Sequence, residues 1–393
     1  MLYDKEIACL RVFVSCMALN NASFSVIYGN EELVVVSKPH DVPMDGEEHV
    51  VTVEKWVHAY RAKSDCANSA AGGDADRDER GAGTAGTYTG QRNWVKFVHQ
   101  LDYATSGVLC IAFSKEMAAR LAHCFEMRTV QKAYLAVLCG MIPPLRIVQN
   151  NRDTDAGVDF LLGSRYGSRV RMVLVDDVPN AHFVRKCVIG ASRHVEEEDA
   201  EDCAALLRVD LPVGYDTTDP RGFRMAVNGR DERQSVTYVH VLQRGYMTHP
   251  TLGCPVPVTK VVLFPRTGRR HQLRVHCHAI GFPVLGDVTY ASIPTLQVAP
   301  EAQGAETMTN VGATTSTNVA DEVGTTEAWQ RMMLHAWRLS FPVSVEPLRC
   351  GMERYMQKRR RRRETLGLAV ASGDDAAEWT HFETKDPFQS ISP

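Results

Sequence analysis

Short apolar runs, each ended by a turn-forming residue, recur along the chain and predict buried β-strands. Clear examples are "ELVVVSKP" at 32–39, "GVLCIAF" at 107–113 and "KAYLAVLCG" at 132–140. Four further segments are rich in β-forming residues: 169–175, 205–211, 235–243 and 258–264. Strands and helices do not alternate regularly, so the chain is predicted to be an α+β protein with a mixed, mostly antiparallel sheet.

Apolar residues at helical spacing predict two short helices in the first third of the chain. The segment "VTVEKWVHAYRA" at 51–62 fits the first. Ser114 is suited to cap the second, whose apolar face runs from Met117 through Leu121 to Phe125.

The best-defined helical pattern is "RTGRRHQLRVHCHAIGFP" at 266–283. Thr267 is placed to be its N-cap and Gly281 to be its left-handed C-cap. Arg270 and Arg274 are four residues apart, so we expect them on one face of the helix, where they could bind an anion. The opposite, buried stripe recurs at i, i+3, i+4 and i+7: Leu273, His276, Cys277 and Ile280.

Two stretches, 64–92 and 298–327, lack apolar periodicity and are predicted to be solvated low-complexity inserts. The sequence from about 364 is polar and reads as a tail. Lys358 to Arg363, "KRRRRR", fits a solvated helical face, an RNA-contacting patch or a nuclear import signal.

Composition supports a soluble globular protein, with 44% hydrophobic and 23% charged residues in a chain of 393. No apolar run approaches the ~20 residues that a membrane-spanning helix needs. Eleven cysteines without a C-x-x-C pair argue against a zinc ribbon or a disulfide framework. The triplet His276-Cys277-His278 is a poor metal site, because adjacent residues do not converge on one ion. We therefore expect no metal.

The N-terminus lacks the pattern of a secretory signal. Asp4 and Glu6 argue against an organellar transit peptide, although Lys5 and Arg11 keep a mitochondrial address open. We expect an intracellular protein, cytoplasmic or nuclear, with the mitochondrion as an alternative. A monomer is the default expectation, because no oligomerisation signature is visible.

The net charge is −3, which by itself argues against nucleic-acid binding. The segment 259–278, however, contains no acid and five cations: Lys260, Arg266, Arg269, Arg270 and Arg274. This local basic surface suits a phosphate-bearing partner.

Three residues invite both an ordinary and a catalytic interpretation. Asp102, in "HQLDYATSGVLCIA", would usually cap its own turn through backbone amides. Tyr134, in "KAYLAV", would usually be a core residue, and Arg274 a solvated helix residue. Each signal is weak when it is considered alone.

The order of the motifs changes that assessment. The two motifs just quoted and "RTGRRHQLRVHCHAIGFPVLGDVTY" closely resemble, in sequence order, the main motifs of the RluA-type RNA pseudouridine synthases. "YGNEELVVVSKPHDVPMDGE", "SVTYVHVLQRG" and "LHAWRLSFP" are also similar to that family. The resemblance covers roughly 24–140 and 224–343. It implies the pseudouridine synthase fold, with a central catalytic cleft flanked by helices and loops.

The resemblance implies that Asp102 is the nucleophile, attacking either the sugar C1′ or the uracil ring. Burial of such a carboxylate requires a neighbouring cation, and Arg274 stands at the position of the family's pocket arginine. Tyr134 stands at the position of the tyrosine that packs on the base and assists proton removal. The reaction involves no redox step or group donor, so no cofactor is expected.

The resemblance also implies an RNA substrate, rRNA or tRNA, whose uridine is flipped into the pocket. Arg266, Arg269 and Arg270 are the expected backbone contacts. The rest of the implied substrate-binding set is Gln100, Thr105, His271 and Leu334. Gln100 departs from the many relatives that carry arginine there, and glutamine supplies no charge. His99 could assist binding or could simply be hydrogen-bonded beside the turn.

The resemblance also sets the expected domain limits. Residues 1–23 would be an N-terminal extension, 24–345 a single catalytic domain, and 346–393 a basic and then polar C-terminal tail. Residues 141–223 exceed what the family core needs, so we expect them to be an insertion that covers the edge of the sheet.

Two other functions compete with RNA isomerisation. A catalytically weak RNA-binding or ribosome-assembly factor could retain the fold for its shape. A metal-dependent nuclease is disfavoured by the lack of clustered carboxylates. The presence of Asp102, Tyr134 and Arg274 together favours the enzyme.

Overall fold

The computed structural model describes residues 24–71, 94–143, 166–191, 205–291, 329, 331–342, 379–388 and 391–392. Most of these residues belong to, or pack on, one 11-stranded sheet, beside which lies a small sheet of three strands. The predicted insert at 298–327 and the arginine-rich run at 358–363 lie outside the described residues.

The strands in chain order are β1 (Ser25–Gly29), β2 (Leu33–Lys38), β3 (Lys96–Phe97), β4 (Ser106–Ala112), β5 (Gln131–Cys139), β6 (Val170–Leu174), β7 (Ala205–Asp210), β8 (Val213–Tyr215), β9 (Met225–Val227), β10 (Arg230–Arg233), β11 (Val236–Thr248), β12 (Pro255–Pro265), β13 (Leu334–Pro342) and β14 (Trp379–Glu383). The α-helices are α1 (Val53–Ala71), α2 (Lys115–Glu126), α3 (Ala181–Ala191) and α4 (Gln272–Ala279).

The large sheet has the order β1-β2-β4-β13-β5-β12-β11-β7-β6, and β3 and β14 pair additionally with β4 and β13. Every pairing in it is antiparallel except that of β4 with β13. The predicted α+β class with a mostly antiparallel sheet is therefore confirmed. Strands β8, β9 and β10 form the small sheet.

All seven segments predicted to be strands form strands. The last two of them are longer than their apolar runs suggest, because β11 and β12 pair with each other over most of their length. The pairing of the two long strands shifts in register between Val241 and Gln243, as at a β-bulge.

The alternation of β5 separates two cores on opposite faces of the sheet. Ala133, Leu135 and Val137 pack in a cluster that includes buried residues of α3. Tyr134 and Ala136, which alternate with them, pack in a different cluster that includes buried residues of α4. Helix α4 and the candidate site therefore lie on the face opposite α3.

The helix around Ser114 is confirmed: α2 begins at Lys115, and the Ser114 hydroxyl accepts a hydrogen bond from the amide of Met117 at 3.1 Å. Helix α1 is also confirmed but is longer than predicted. It continues to Ala71, into the stretch that we assigned to a low-complexity insert. Residues 72–93 lie outside the described part of the chain.

The start of α4 differs from the prediction. The helix begins at Gln272, and the residue at its N-cap is His271, with φ of 54°. Thr267 is not the cap: its hydroxyl donates to the side-chain oxygen of Gln272 at 2.7 Å, and that oxygen also accepts from the amide of Arg269 at 3.1 Å. These bonds hold the preceding residues as a turn, so Arg270 lies before the helix and does not share a helical face with Arg274.

The apolar stripe and the C-cap of α4 are confirmed, but Arg274, which was expected on an accessible face, is also buried. The four residues of the predicted stripe are all buried: Leu273, His276, Cys277 and Ile280. Gly281 follows the helix with φ of +87°, the left-handed conformation that glycine adopts most readily.

Strands β6 and β7, which come from 141–223, form one end of the large sheet, as we expect for an insertion at its edge. Helix α3, from the same segment, covers the face opposite α4. Its residues Phe183, Val184, Cys187 and Val188 are buried.

Residues 379–388 and 391–392 correct the prediction of a polar tail. Strand β14 pairs with β13, and both Phe388 and Ile391 are buried in the core on the α3 face. Lys260 of β12 binds the carboxylate of Asp386 and donates to the carbonyl of Phe388 at 2.6 Å. The sequence did not predict that this segment packs in the core, because its apolar residues are few and too widely spaced to form an apolar run.

Among the described residues, no helix is long and apolar enough to span a membrane.

Replacing Phe388 by alanine tests whether the C-terminal segment is part of the folded core. Phe388 is 4% exposed, so Phe388→Ala should lower the free energy of unfolding by about 3–5 kcal/mol, as measured by urea denaturation. Lys385→Ala, at an exposed position in the same segment, is the control and should change it by less than about 0.5 kcal/mol. Equal, small effects of both substitutions would mean that the segment is a tail.

Candidate active site

Asp102 lies in the turn between β3 and β4, and hydrogen bonds hold the backbone of that turn. The amide of Thr105 donates to the carbonyl of Asp102 at 3.0 Å. The ammonium group of Lys38, which is 0% exposed, donates to the carbonyls of Tyr103 and Thr105, each at 2.9 Å. The main chain on the C-terminal side of Asp102 is thereby fixed, while the Asp102 side chain remains 28% exposed.

Burial lowers the pKa of Lys38 to about 7, against the opposing charges of Asp41 and Asp102. Lys38 is one of the residues that the sequence interpretation missed. The signal was present in the run "VVVSKP", where a lysine interrupts a buried strand just before proline.

Gly107 closes the same turn against β13. Its φ is +113°, and a Cβ atom there would lie 2.1 Å from the carbonyl oxygen of Ala336. Only glycine fits this close approach without displacing backbone. Gly107 therefore serves the position of the turn.

Arg274 joins two carboxylates. Its Nε and Nη2 atoms donate to the two oxygens of Asp287, both at 2.7 Å, and its Nη1 atom lies 3.4 Å from Oδ2 of Asp102. The side chains of Arg274 and Asp287 are 6% and 0% exposed. Burial by itself lowers the pKa of Arg274, but the hydrogen bonds and charge of Asp287, together with Asp102, raise it overall. The guanidinium therefore remains charged beside Asp102.

Asp287 was not predicted from the sequence. Besides its bidentate pair with Arg274, one of its oxygens accepts from the amides of Thr289 and Tyr290, at 3.0 and 3.2 Å. It therefore fixes the guanidinium to the loop that follows α4. An aspartate in "GDVTY" gives no local indication of this partner, which lies 13 residues earlier in the chain.

Tyr134 packs on the α4 face of β5, between the cluster that includes buried residues of α4 and a second cluster that includes buried residues of β2, β4 and α1. Burial and the charge of Asp102 raise the pKa of Tyr134. The phenol is therefore neutral, and loss of its proton is disfavoured. This environment favours packing of the ring over action as a base.

Tyr290 and His271 complete the wall beside Arg274. The guanidinium carbon of Arg274 lies 5.0 Å from the centre of the Tyr290 ring. The Tyr290 hydroxyl accepts from the amide of Met225 at 2.9 Å and is hydrogen-bonded to Nδ1 of His271, also at 2.9 Å. Burial lowers the pKa of His271 to about 4, so this residue adds no charge to the site near neutral pH.

The residues implied as RNA contacts are spread over different environments. Gln100 and Arg270 are exposed, and Arg266 and Arg269 are half-buried. Thr105 and Leu334, at 2% and 3% exposure, offer almost no surface to an RNA in this arrangement. A contact role for any of these residues remains a prediction.

Three cations that the sequence interpretation did not single out lie near the predicted arginines. Burial and the charges of Arg128 and Arg233 lower the pKa of Arg269. Burial and the charges of Arg266 and Arg128 lower the pKa of Lys132 to about 8. The mutual repulsion shows a concentration of positive charge, which an anion would relieve.

His99 fits the hydrogen-bonded alternative. Its Nε2 atom accepts from the amide of Cys110 at 2.9 Å, and its ring stacks on Phe125 with centroids 5.0 Å apart. Burial, with the charge of Lys132, lowers the pKa of His99 to about 3. The residue connects β4 to α2 beneath the turn.

In the described part of the chain, no group of three or more His, Cys, Asp or Glu side chains could hold a metal ion. In the predicted triplet, His276 instead bonds the hydroxyl of Thr237 and the carbonyl of Leu211, both at 2.9 Å.

Comparison with known proteins relates this chain to one family. The family model described as RNA pseudouridylate synthase matches residues 32–279, which is more than half of the chain. RNA pseudouridylate synthase domain-containing protein 1 of Homo sapiens is 27% identical over 330 residues, which cover 82% of this chain and 68% of that protein. Dual-specificity RNA pseudouridine synthase RluA of Salmonella typhi is 28% identical over 206 residues, which cover 52% of this chain and 62% of that protein.

Among solved structures, Human RNA Pseudouridylate Synthase Domain Containing 1 is similar, with 25% identity and a TM-score of 0.45. The match covers 83% of this chain and 81% of that one.

Removing the charge of Asp287 tests whether it secures the buried guanidinium. Asp287→Asn leaves Arg274 without its bidentate partner, so the free energy of unfolding should fall by about 3 kcal/mol in urea denaturation. Asp176→Asn is the matched control, because it breaks the exposed pair with Arg185 and should cost less than about 1 kcal/mol. Losses of similar size in the two variants would show that the Arg274–Asp287 pair contributes no more than a surface pair.

The lowered pKa of His271 predicts a specific dependence of stability on pH. Between 6.5, its ordinary value, and about 4, the unfolded chain takes up a proton at this residue and the folded protein does not. The free energy of unfolding should therefore fall as the pH decreases through this window.

His271→Gln removes this contribution, so the decrease in stability from pH 6.5 to pH 4 should be smaller in the variant than in the wild type. Urea denaturation across this pH range measures the difference. Other buried histidines titrate equally in both proteins and cancel. Parallel curves would contradict a neutral, buried His271.

Proposed function

The chain belongs to the RNA pseudouridylate synthase family, and we propose that it isomerises uridine to pseudouridine in a structured RNA, with Asp102 as the nucleophile. The observation that carries this proposal is the contact of Asp102 with a buried arginine that Asp287 holds in place. The enzyme class that the sequence predicted, an RNA pseudouridine synthase, is confirmed at the level of the family.

The chemistry follows from this pairing. The partly exposed carboxylate of Asp102 is open to a nucleotide, while the buried guanidinium of Arg274 supplies positive charge beside it. Attack forms a bond from Asp102 to the nucleoside, at the sugar C1′ or on the uracil ring. The bond between base and sugar breaks, the uracil turns, and a carbon of its ring rejoins the ribose. The bond to Asp102 breaks and frees the carboxylate. The ring carbon loses its proton and the nitrogen that was bound to the ribose gains one, so no atom is added or lost overall.

Tyr134 would hold the detached base during its rotation. Its ring lies between two apolar clusters at the cleft, and its neutral phenol avoids a second negative charge beside Asp102. We therefore assign the ring contact to Tyr134 and do not assign to it the removal of the proton.

The concentration of cations supports RNA as the substrate. Lys132 is two residues before Tyr134 on β5, and alternation places both side chains on the same face of the sheet. From Lys132 the positive charge extends to Arg128, Arg266 and Arg269. Such a surface would bind the phosphates on either side of a flipped nucleotide. rRNA and tRNA are the proposed substrate classes.

Substitution of the nucleophile tests the proposal. Asp102→Asn preserves shape but cannot attack, so pseudouridine at the sites that depend on this protein should fall to background when the variant replaces the wild type in cells. Transcriptome-wide mapping of pseudouridine, in cells with and without the protein, provides the measurement. Asp45→Asn, at an exposed position, is the control and should leave modification unchanged.

If Asp102→Asn restored full modification and growth, the catalytic assignment would be wrong. If the cells lacking the protein had the same pseudouridines but defective ribosomes, a non-catalytic role in ribosome assembly would replace it.

A further inference from the structure

Phe223 is an aromatic residue displayed on the surface beside the candidate site. It is 48% exposed and lies at the end of the segment 141–223, outside the motifs that the sequence analysis compared with the family. It belongs to the turn that joins β8 to β9 in the small sheet. None of the roles proposed above for the site uses this residue.

The turn that carries Phe223 is rigid. One carboxylate oxygen of Asp219 accepts from the amides of Phe223 and Arg224, at 2.8 and 2.7 Å, and the carbonyl of Asp219 accepts from the amide of Gly222 at 3.0 Å. Arg224 is itself paired with Asp216 at 2.9 Å. A hydrogen-bonded turn therefore holds an apolar ring in water. A ligand that covered the ring would lose little binding free energy to ordering of the turn.

A continuous series of contacts connects this ring to Asp102. The rings of Phe223 and His271 meet edge-on, with centroids 5.1 Å apart. His271 bonds the Tyr290 hydroxyl, the Tyr290 ring lies beside Arg274, and Arg274 contacts Asp102. The charge of Asp102 also acts directly on the pKa of His271. Phe223 is thus one ring beyond the wall of the catalytic cleft.

Arg270 adds the second component of a platform. Its guanidinium carbon lies 4.7 Å from the centre of the Phe223 ring. The guanidinium covers one part of the ring, and about half of the residue stays open to solvent. A half-exposed aromatic ring with an arginine over it matches the chemistry that proteins use to stack an unpaired nucleobase and hold the adjoining phosphate.

We propose that Phe223 and Arg270 form a stacking platform for a nucleobase of the substrate RNA, next to the uridine that enters the cleft. This inference rests on the proposed function and deepens it, because it adds recognition of a neighbouring, unpaired nucleotide. It also gives the segment 141–223 a role in substrate binding. The ring supplies base stacking, and Arg270 supplies charge for the phosphate.

Binding assays with two probes test the platform. One probe is a fluorescently labelled oligouridylate, and the other is an oligoribonucleotide of equal length and charge whose internal nucleotides are abasic. Phe223→Ala should weaken binding of the oligouridylate by about tenfold in fluorescence anisotropy and should leave binding of the abasic probe unchanged. The salt dependence should not change, because no charge is lost.

Two further substitutions separate stacking from apolar bulk. Phe223→Leu should weaken oligouridylate binding as much as Phe223→Ala, whereas Phe223→Trp should preserve it, because only the aromatic variant keeps a π-face. Ile189→Ala is the matched control: Ile189 is 64% exposed on α3, on the opposite face of the sheet, and its removal should not affect either probe. Thermal unfolding of each variant verifies the fold.

The platform is wrong if Phe223→Ala binds oligouridylate as the wild type does, or if it loses affinity equally for both probes. Full binding by Phe223→Leu would also contradict it, since an apolar patch without aromatic character fits a protein partner instead. These outcomes are independent of catalysis. The proposed function would fail by itself if the wild-type protein bound oligouridylate through Phe223 but formed no pseudouridine in cells.

Discussion

The candidate site depends on one buried guanidinium held between two carboxylates. Arg274 gives Asp287 two short hydrogen bonds and keeps its third nitrogen for Asp102. The two carboxylates are unequal, because Asp287 is fully buried while Asp102 is partly exposed. Asp287 thus acts as the fixed counter-ion that compensates the burial of the charge, and Asp102 keeps oxygen atoms free for a substrate. The reactive carboxylate is placed by an ion pair that does not consume it.

The backbone around Asp102 is constrained as closely as its side chain. Lys38 donates hydrogen bonds to two carbonyls on the C-terminal side of Asp102, and Gly107 packs closely against Ala336 of β13. These contacts come from β2 and β13, the strands on either side of β4 in the sheet. The large sheet therefore serves as a rigid support on which a carboxylate can be held at a fixed distance from a helix.

Much of this arrangement was predictable from local patterns. Buried strands such as β2 and β4 are continuous apolar runs, and Ser114 satisfies the first amides of α2 through contacts within a few residues. The start of α4 and the C-terminal strand were not predictable in this way. Thr267 has the sequence position of an N-cap, but its hydroxyl bonds the side chain of Gln272 instead. Strand β14 forms by pairing with β13, a contact that its own sequence does not indicate.

The sequence alone determined the family motifs, the antiparallel α+β class and the three side chains proposed for the reaction, because these depend on residue identity and short-range order. The tertiary structure decided which groups serve those side chains. Asp287 and Phe223 stand in unremarkable sequence contexts, and Lys38 is marked only as a lysine within a buried strand. All three acquire a role only where distant segments meet. The physical reason is the short range of these interactions. Hydrogen bonds and stacking act over a few ångströms, so the fold decides which residues become partners, and their separation along the sequence does not.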